Sequence, residues 1–395
     1  MITVLGWDGR PLNGRAAAVL ARATLVVGGK RHLAAVPVPA GARTVVMGDV
    51  AAALDVVVGH DGDAVVIASG DPGYFGIVRA LRARGVVPVV LPAVSSVAAA
   101  FARAGLPWED ALVVSAHGRA LQPAVNACRA HPKVAVLTAP GSGPAELGAA
   151  LAGAARTLVI CENLDGDGDG EAVTRCTPEQ AAARSWREPN VVLVLDEHRT
   201  IGDRRWLNGW LGPDRWALPE ERFAHRDGMV TKSEVRALVL ASLGPRPGDL
   251  VWDIGAGSGS VAVECARLGA AAVAVDRDPD ACRLARSNAA TFDVPVTVIE
   301  GAAPEALNDL PDPDTVFVGG GGTTVVAACA ERRPRRLVVA LAAVERIGPT
   351  HAALTAAGYT VHGVQLAANR LTPLPDGTHR FAPTNPVTIL TGELP

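Results

Sequence analysis

Aromatic residues and paired cysteines are both scarce in this sequence. Aromatic side chains make up 4% of its 395 positions, while Ala, Val, Gly and Pro dominate. None of the six cysteines belongs to a CxxC pair, and several lie in apolar strand or helix patterns. This favours buried thiols in a reducing compartment over disulfides or a metal site.

The sequence also lacks a strong charge bias and any long apolar run. The formal net charge is −3 and no long basic segment occurs, so the electrostatic footprint of a nucleic-acid-binding protein is missing. No apolar run reaches the length of a membrane span, and residues 1–5 have the pattern of a strand rather than of a signal peptide. We therefore expect a cytoplasmic protein with neither a nucleic-acid nor a membrane partner.

The sequence does contain a repeated alternation of Val-rich strands and Ala/Arg-rich helices. Its length is sufficient for two or three domains. Strands separated by helices predict parallel α/β layers over residues 1–200, in two subdomains of about 1–108 and 109–200. Residues 201–219, rich in Trp, Gly, Pro and charges, are interpreted as a linker. Residues 220–395 predict a second α/β unit, which ends in an antiparallel pair because its last two strands have no crossover helix between them.

The clearest motif is DLVWDIGAGSGS at 249–260, where an apolar strand leads into three glycines and then into a helix pattern. Such a turn brings backbone N–H groups close to a ligand, although a tight turn without a ligand is the alternative. A nicotinamide fingerprint requires Gly or Ala at the sixth position, where Ser260 stands. Two acids flank the turn instead. Asp253 precedes it, and Asp276 ends the next strand, where a carboxylate can accept two ribose hydroxyls.

These acids around a GxGxG turn resemble the class I S-adenosylmethionine (SAM) methyltransferases. Together with the TKSE sequence at 231–234, they resemble the family of carbon-15 methylases and decarboxylases of cobalamin biosynthesis, over about residues 220–395. Independently of that resemblance, Thr231 and Glu234 predict a capping box for the following helix. The resemblance implies a Rossmann-like domain that binds SAM through Thr231, Asp253, Gly255, Gly257, Gly259, Asp276, Arg277, Gly301 and Ala302.

A second set of motifs stands in the first half. The SGDPG loop at 69–73 follows an apolar strand, at a position where α/β proteins bind ligands, although a plain turn is the alternative. With the segments 26–33, 92–96 and 115–119, this loop resembles the tetrapyrrole (corrin/porphyrin) methylase family, and within it the carbon-5 methylases of cobalamin biosynthesis. Trp7 departs from that pattern, which commonly has a small residue there. The resemblance implies SAM in a cleft between two α/β subdomains, in contact with Gly6, Asp8, Gly9, Gly70, Asp71, Pro72, Ser95 and Ser96.

The two resemblances together imply one chain with two SAM sites. It would methylate precorrin-6B at carbons 5 and 15 and decarboxylate the carbon-12 acetate, giving precorrin-8X. They also imply a homo-oligomer, with a tetramer through the C-terminal domain among its forms. Two alternatives remain open: a fused pair acting on another tetrapyrrole, and a SAM-binding scaffold in which one half is inactive. The candidates for proton transfer or for contacts with substrate carboxylates are His117, Arg226, Lys232, Arg31, Arg119 and Arg346.

Overall fold

A computed structural model describes residues 1–164, 170–199, 209, 212–226 and 230–395. Most of the predicted linker, residues 201–208 and 210–211, lies outside these ranges. The chain divides into two compact units. One unit consists of Met1–Leu121 and Lys133–Gly209, and the other of Gln122–Pro132 and Trp210–Pro395. Within the described ranges, no helix has the length and apolar character needed to cross a membrane.

The first unit begins with a five-stranded sheet in the order β3-β2-β4-β1-β5, with all strand pairs parallel. Its buried strands are continuous apolar runs, as expected where helices cover both faces of a sheet. The third strand was missed from sequence because it is an exposed edge strand. The strands are β1 (Ile2–Trp7), β2 (Leu25–Gly28), β3 (Arg43–Val46), β4 (Ala64–Ser69) and β5 (Val89–Leu91), and the helices are α1 (Gly14–Ala21), α2 (Lys30–Ala35), α3 (Val50–Val58) and α4 (Ile77–Arg82).

A second sheet of the first unit has the order β6-β7-β10-β8-β9. Only β6 and β7 pair in parallel, so the expectation of a parallel sheet is wrong here. The reason is that only residues 163–171 separate β8 from β9, which is too short a connection for a crossover between parallel strands. The strands are β6 (Leu112–Ser115), β7 (Lys133–Leu137), β8 (Thr157–Glu162), β9 (Ala172–Cys176) and β10 (Asn190–Leu195), and the helices are α5 (Ser96–Ala104), α6 (Gln122–Ala130), which is grouped with the second unit, α7 (Pro144–Ala150) and α8 (Pro178–Ala182).

The second unit contains a seven-stranded sheet in the order β13-β12-β11-β14-β15-β19-β16. The five strands from β13 to β15 are parallel, and β19 is antiparallel to both of its neighbours, which confirms the predicted antiparallel ending. The strands are β11 (Leu250–Ile254), β12 (Ala271–Asp276), β13 (Val296–Glu300), β14 (Thr315–Val318), β15 (Arg336–Leu341), β16 (Thr360–Leu366) and β19 (Val387–Glu393), and the helices are α9 (Ser233–Leu243), α10 (Ser260–Arg267), α11 (Pro279–Thr291), α12 (Gly322–Glu331) and α13 (Ile347–Ala356). Short 3₁₀ helices of this unit span Glu220–Arg222, Glu305–Leu307 and Val344–Arg346.

A separate hairpin, β17 (Asn369–Pro373) with β18 (His379–Pro383), was not predicted from the sequence. Strand β16 ends at Leu366 opposite Val387, close to the position where β15 ends. The hairpin therefore emerges at the edge of the sheet where the parallel strands have their carboxyl ends, the edge at which open α/β sheets bind ligands.

Candidate active sites

Three segments of the first unit meet at the end of β1. A Cβ added to Gly6 would overlap the carbonyl oxygen of Gly70 and lie 2.5 Å from the backbone nitrogen of Ala93. The Gly70 N–H donates to the Trp7 carbonyl at 2.8 Å. Only glycine at position 6 permits this approach. The structure therefore brings the first glycine turn, the GDP loop and the segment before Ser95 together at the end of β1.

A cavity of about 510 Å³ opens at this meeting point. Of the predicted residues, Gly6 and Pro72 are buried beneath it. The sequence missed many wall residues because they come from the ends of strands that only the fold brings together. The predicted residues that line the cavity are Asp8, Gly9, Arg31, Gly70, Asp71, Ser95, Ser96 and His117, and additional ones include Trp7, Ser69, Tyr74, Phe75, Thr138 and Cys161.

Local hydrogen bonds fix the loops around the cavity. Asp71 accepts the Gly73 N–H through Oδ1 at 2.8 Å, which closes the turn of the GDP loop. The Ser95 hydroxyl accepts the Ala98 N–H at 3.1 Å and caps α5. Because Ser95 and Ser96 line the cavity, the amino end of α5 and its partial positive charge adjoin the ligand space.

His117 reaches the cavity wall just after β6. Its Nδ1 lies 3.2 Å from the carbonyl oxygen of Thr138. A carbonyl only accepts hydrogen bonds, so Nδ1 carries the proton and Nε2 keeps a lone pair in the neutral ring. Cys161 also lines the cavity, but burial raises the pKa of its thiol to about 11. Of these two side chains, His117 is therefore the one that offers an imidazole lone pair, whereas Cys161 stays protonated.

The second unit places the GxGxG turn between β11 and α10. Gly255, Gly257 and Gly259 all have positive φ angles of 71°, 55° and 70°. A Cβ on Gly255 would lie 2.8 Å from the Gly320 nitrogen, and one on Gly259 would lie 2.7 Å from the Cβ of Ala285. By contrast, the space beside Gly257 is open. The positive φ angle thus favours glycine at all three positions. At Gly255 and Gly259 a side chain would also clash with neighbouring atoms.

The two flanking acids have different environments. Asp276 is partly buried and accepts the N–H groups of Gly257 at 2.8 Å and Asp278 at 3.0 Å. Asp253 is buried, accepts the Ala262 N–H at 2.9 Å through Oδ2, and has no partner for Oδ1 among the described residues. Burial raises the pKa of Asp253 to about 7, with a smaller contribution from the charge of Asp276. An unsatisfied buried carboxyl oxygen beside a glycine cradle fits a cationic ligand such as SAM.

The capping box predicted at Thr231 and Glu234 is wrong. Helix α9 begins at Ser233, and its N-cap, Lys232, makes no side-chain capping bond. The Ser233 N–H donates instead to Glu220 Oε1 at 2.5 Å, and the Thr231 carbonyl accepts from Arg236 Nη1 at 2.6 Å. Glu220 is more than ten residues away in sequence, so the local pattern could not reveal it.

Glu220 belongs to a charged cluster that also includes the base of the unpredicted hairpin. Arg370 of β17 donates to both oxygens of Glu220 at 2.9 Å and to Glu234 at 2.8 Å and 2.5 Å. These hydrogen bonds from Arg370 are the largest cause that lowers the pKa of Glu220, to about 2. The segment containing Thr231 is therefore held by ionised groups across the physiological pH range.

The remaining predicted residues lie around the same edge. Arg226 pairs with Asp278 at 2.9 Å and with Asp280 at 3.4 Å, so its guanidinium already has two carboxylate partners. Arg277 is exposed after β12. The Gly301 N–H donates to the Asp276 carbonyl at 2.9 Å, which places Gly301 and Ala302 next to that acid.

The sheet order, the glycine turn and the two acids define the class of the second unit, a SAM-dependent methyltransferase. Comparison with known proteins agrees. Residues 221–393 match a precorrin methyltransferase domain, and residues 9–182 match the tetrapyrrole (corrin/porphyrin) methylases. The chain is 37% identical over 331 residues to a precorrin-6Y C(5,15)-methyltransferase [decarboxylating] of Sinorhizobium sp, covering 80% of this chain and 77% of that one. The chain belongs to the family of precorrin-6Y C(5,15)-methyltransferases (decarboxylating).

Two shorter relatives match one half each. The cobalt-precorrin-7 C(5)-methyltransferase of Salmonella typhimurium is 34% identical over 206 residues, covering 50% of this chain and 100% of that protein. The probable cobalt-precorrin-6B C(15)-methyltransferase (decarboxylating) of Methanocaldococcus jannaschii is 27% identical over 180 residues, covering 45% of this chain and 97% of that protein.

Proposed function

We propose that this chain methylates precorrin-6B at carbons 5 and 15 with SAM as the methyl donor and removes the carbon-12 acetate carboxyl as carbon dioxide, giving precorrin-8X. One observation carries this proposal: each half of the chain matches nearly the whole length of a separate enzyme, one named for carbon 5 and one for carbon 15 with decarboxylation. We assign carbon 5 to the cavity of the first unit and the other two steps to the second unit.

The proposal includes two SAM sites per chain. SAM supplies an electrophilic methyl group on a sulfonium, so each site mainly has to align donor and acceptor. In the first unit, Asp8, Asp71, Ser95 and Ser96 would hold the donor beside the amino end of α5. In the second unit, Asp276 would accept the ribose hydroxyls and Asp253 would face the positive charge. The remaining contacts of that site would come from Thr231, Arg277, Gly301 and Ala302.

Replacing a hydrogen by a methyl group at carbon 5 releases one proton. We assign its acceptance to Nε2 of His117, because the Thr138 carbonyl fixes the proton of the neutral ring on Nδ1. A His117→Gln variant should lower kcat for carbon-5 methylation without changing the affinity for SAM. Equal loss of both would instead indicate that His117 acts in binding.

Decarboxylation breaks the bond between the acetate methylene and its carboxyl. The electron pair enters the conjugated macrocycle, and a proton from solvent then completes the methyl group. Lys232 and Arg226 are the candidates that orient the acetate, although Arg226 would first have to leave Asp278 and Asp280. Decarboxylation that survives in both Lys232→Ala and Arg226→Ala would remove these two residues from the proposal.

The two-site assignment is tested on the full chain. Calorimetric titration should give two SAM equivalents for the wild type and one each for Asp71→Asn and Asp276→Asn. Mass spectrometry of the products should show that Asp71→Asn loses carbon-5 methylation and that Asp276→Asn loses carbon-15 methylation. One equivalent in the wild type, or loss of both methylations in either variant with native stability, would refute the assignment.

We also propose a homo-oligomer, a tetramer formed through the C-terminal domain. Its support is the apolar surface of the unpredicted hairpin, where Leu371 and Phe381 form a cross-strand pair with 61% and 70% exposure. Strand β16 adjoins it as a sheet edge and exposes 51% of Val364. Sedimentation should show a tetramer for the wild type and smaller species for Phe381→Asp. A monomeric wild type would contradict this proposal.

A further inference from the structure

We infer that the cavity of the first unit grips its acceptor through two guanidiniums, Arg31 and Arg119, each of which lies over an aromatic ring of the cavity wall and takes a carboxylate of a flat macrocycle. This inference rests on the proposed carbon-5 methylation. It concerns recognition of the acceptor rather than methyl transfer, and it selects these two residues from the wider set of basic residues that the sequence offered.

The first pair consists of Arg31 and Trp7. Both residues line the cavity, and the guanidinium carbon of Arg31 lies 5.9 Å from the centroid of the Trp7 ring. Nη2 of Arg31 donates to the Ser69 hydroxyl at 3.4 Å, and that hydroxyl also lies 3.0 Å from His32 Nε2. Ser69 directly precedes the GDP loop, so Arg31 stands next to the proposed donor site. Trp7, which departs from the family pattern, thus has a role as the platform for this arginine.

The second pair consists of Arg119 and Phe75. The guanidinium carbon of Arg119 lies 5.6 Å from the centroid of the Phe75 ring, which lines the cavity and is 43% exposed. Phe75 has a φ of 55°, an unusual conformation for a bulky residue. Tyr74 packs edge-on against it with 5.1 Å between ring centroids. Backbone strain that holds an apolar ring at a cavity wall is typical of a ligand-contacting position.

Neither guanidinium has an acidic partner among the described residues, whereas other arginines of this unit do. Arg103 pairs with Glu171, and Arg156 with Asp196. Burial lowers the pKa of Arg31, and no carboxylate offsets this effect. Burial and then the charge of Arg31 lower the pKa of the neighbouring His32 to about 4, so its ring is neutral near pH 7 and does not compete with Arg31 for an anion. Both arginines therefore retain donors for an external anion.

The chemistry of the two pairs matches one class of ligand. A guanidinium presents two parallel N–H groups that fit a carboxylate, and an aromatic ring beneath it offers a flat apolar surface. Two such pairs suit a planar ring system with carboxylates at its periphery. A compound with one carboxylate could engage only one arginine, so the arrangement favours an acceptor with several carboxylates.

The first test is steady-state kinetics of carbon-5 methylation by the full chain. Arg31→Gln and Arg119→Gln should each raise KM for the precorrin about tenfold, as expected for loss of a charge-assisted hydrogen bond, with kcat changed less than about twofold. Raising the salt concentration should raise KM of the wild type more steeply than that of either variant. Arg31→Lys and Arg119→Lys, which keep the charge but lose the planar fork, should give intermediate KM values.

Three controls separate recognition from a general defect. Arg22→Gln removes the same charge from an exposed residue at the end of α1 and should leave KM unchanged. Carbon-15 methylation by the same chain should also be unchanged. The affinity of the first unit for SAM should remain that of the wild type, because neither arginine is assigned to the donor. A parallel loss of SAM affinity would mean that the substitutions deform the cavity, which would overturn the inference.

A binding test does not depend on turnover. Uroporphyrin, a flat octacarboxylate, should bind the wild type more tightly than it binds an Arg31→Gln/Arg119→Gln variant, by at least about tenfold in fluorescence titration. Equal affinities, or KM values within twofold of the wild type, would overturn the inference. A wild type that binds uroporphyrin in this way but does not methylate carbon 5 would refute the proposed function and leave the two-arginine grip intact.

Discussion

The buried carboxyl group of Asp253 leads us to expect that SAM affinity of the second unit increases with pH. Burial holds the pKa of this group at about 7, so the protonated and charged forms are equally populated near neutrality. A cationic ligand prefers the charged form, and binding should therefore release a proton. The nearby charge of Asp276 adds to the shift, whereas the Ala262 N–H that Oδ2 accepts opposes it. Cys265 is also close, but burial raises its pKa and keeps it neutral.

The size of this pH effect on SAM affinity follows from the fraction of molecules in which Asp253 is charged. With a pKa of about 7, Asp253 is charged in about one tenth of free molecules at pH 6 and in about nine tenths at pH 8. If the bound carboxylate ionises well below pH 6, the dissociation constant for SAM should fall about tenfold over this range, or about 1.4 kcal/mol. Near pH 7, about half a proton should be released for each SAM bound.

Calorimetry in buffers of different ionisation enthalpy measures both the dissociation constant for SAM and the number of protons released on binding. Asp253→Asn should bind SAM at the second unit with a pH-independent affinity that is lower than that of the wild type at pH 6, because it lacks the charged form altogether. Asp314→Asn is the matched control, because burial also raises the pKa of Asp314 but this residue lies before β14, at the opposite edge of the sheet. A wild-type affinity that is flat between pH 6 and 8, or a pH dependence that survives in Asp253→Asn, would refute the reasoning.

The Asp253 carboxyl should also make the stability of the ligand-free protein depend on pH. This dependence runs opposite to that of SAM affinity, because stability should decrease as pH rises. The folded pKa of this carboxyl lies above the ordinary value of 3.8, so the folded state binds the proton more tightly than the unfolded state does. The free energy of unfolding should therefore decrease as pH rises from about 4 to about 7, by about 4 kcal/mol from this residue, and then level off. Asp253→Asn should remove this decrease, which chemical denaturation of the second unit can measure.

Three further substitutions have expected outcomes. Gly6→Ala should abolish carbon-5 methylation and spare carbon-15 methylation in product analysis, because its Cβ overlaps the Gly70 carbonyl; retained carbon-5 activity would contradict this. Arg236→Met should lower the free energy of unfolding by about 3 kcal/mol in urea titration, because Arg236 and its partner Glu264 are both fully buried; an unchanged midpoint would contradict this. Cys329→Ser should not change activity, because burial raises the pKa of this thiol to about 12 and keeps it unreactive; inactivation with native stability would contradict this.

Local sequence signals were sufficient for the strands and turns that carry the second site. The run 249–260 alone predicts a strand, three glycines and a helix, and the structure has β11, a turn with three positive φ angles, and α10. These features could be predicted because the apolar run, the glycines and the helix pattern that determine them all lie within this one short segment. The antiparallel ending could be predicted for the same reason, because no helix stands between its strands.

Long-range partners could not be predicted. The Ser233 N–H is satisfied by Glu220, and the carboxylates opposite Arg226 are Asp278 and Asp280, about fifty residues further along the chain. The strands β3 and β9 were missed because their mainly exposed or alternating residues give no continuous apolar signal. The cavity wall around His117 draws on both sheets of the first unit, and their mutual arrangement is a property of tertiary packing.

The insertion of β19 between β15 and β16 has a consequence for biosynthesis of the chain. During translation, β16 leaves the ribosome before the strand that joins it to the sheet has been made. Until residues 387–393 emerge, β15 presents an unpaired edge and β16 has no ladder partner in the seven-stranded sheet. The nascent second unit therefore passes through a stage at which β15 is an additional open edge and β16 is unpaired, and such exposed strands favour aggregation.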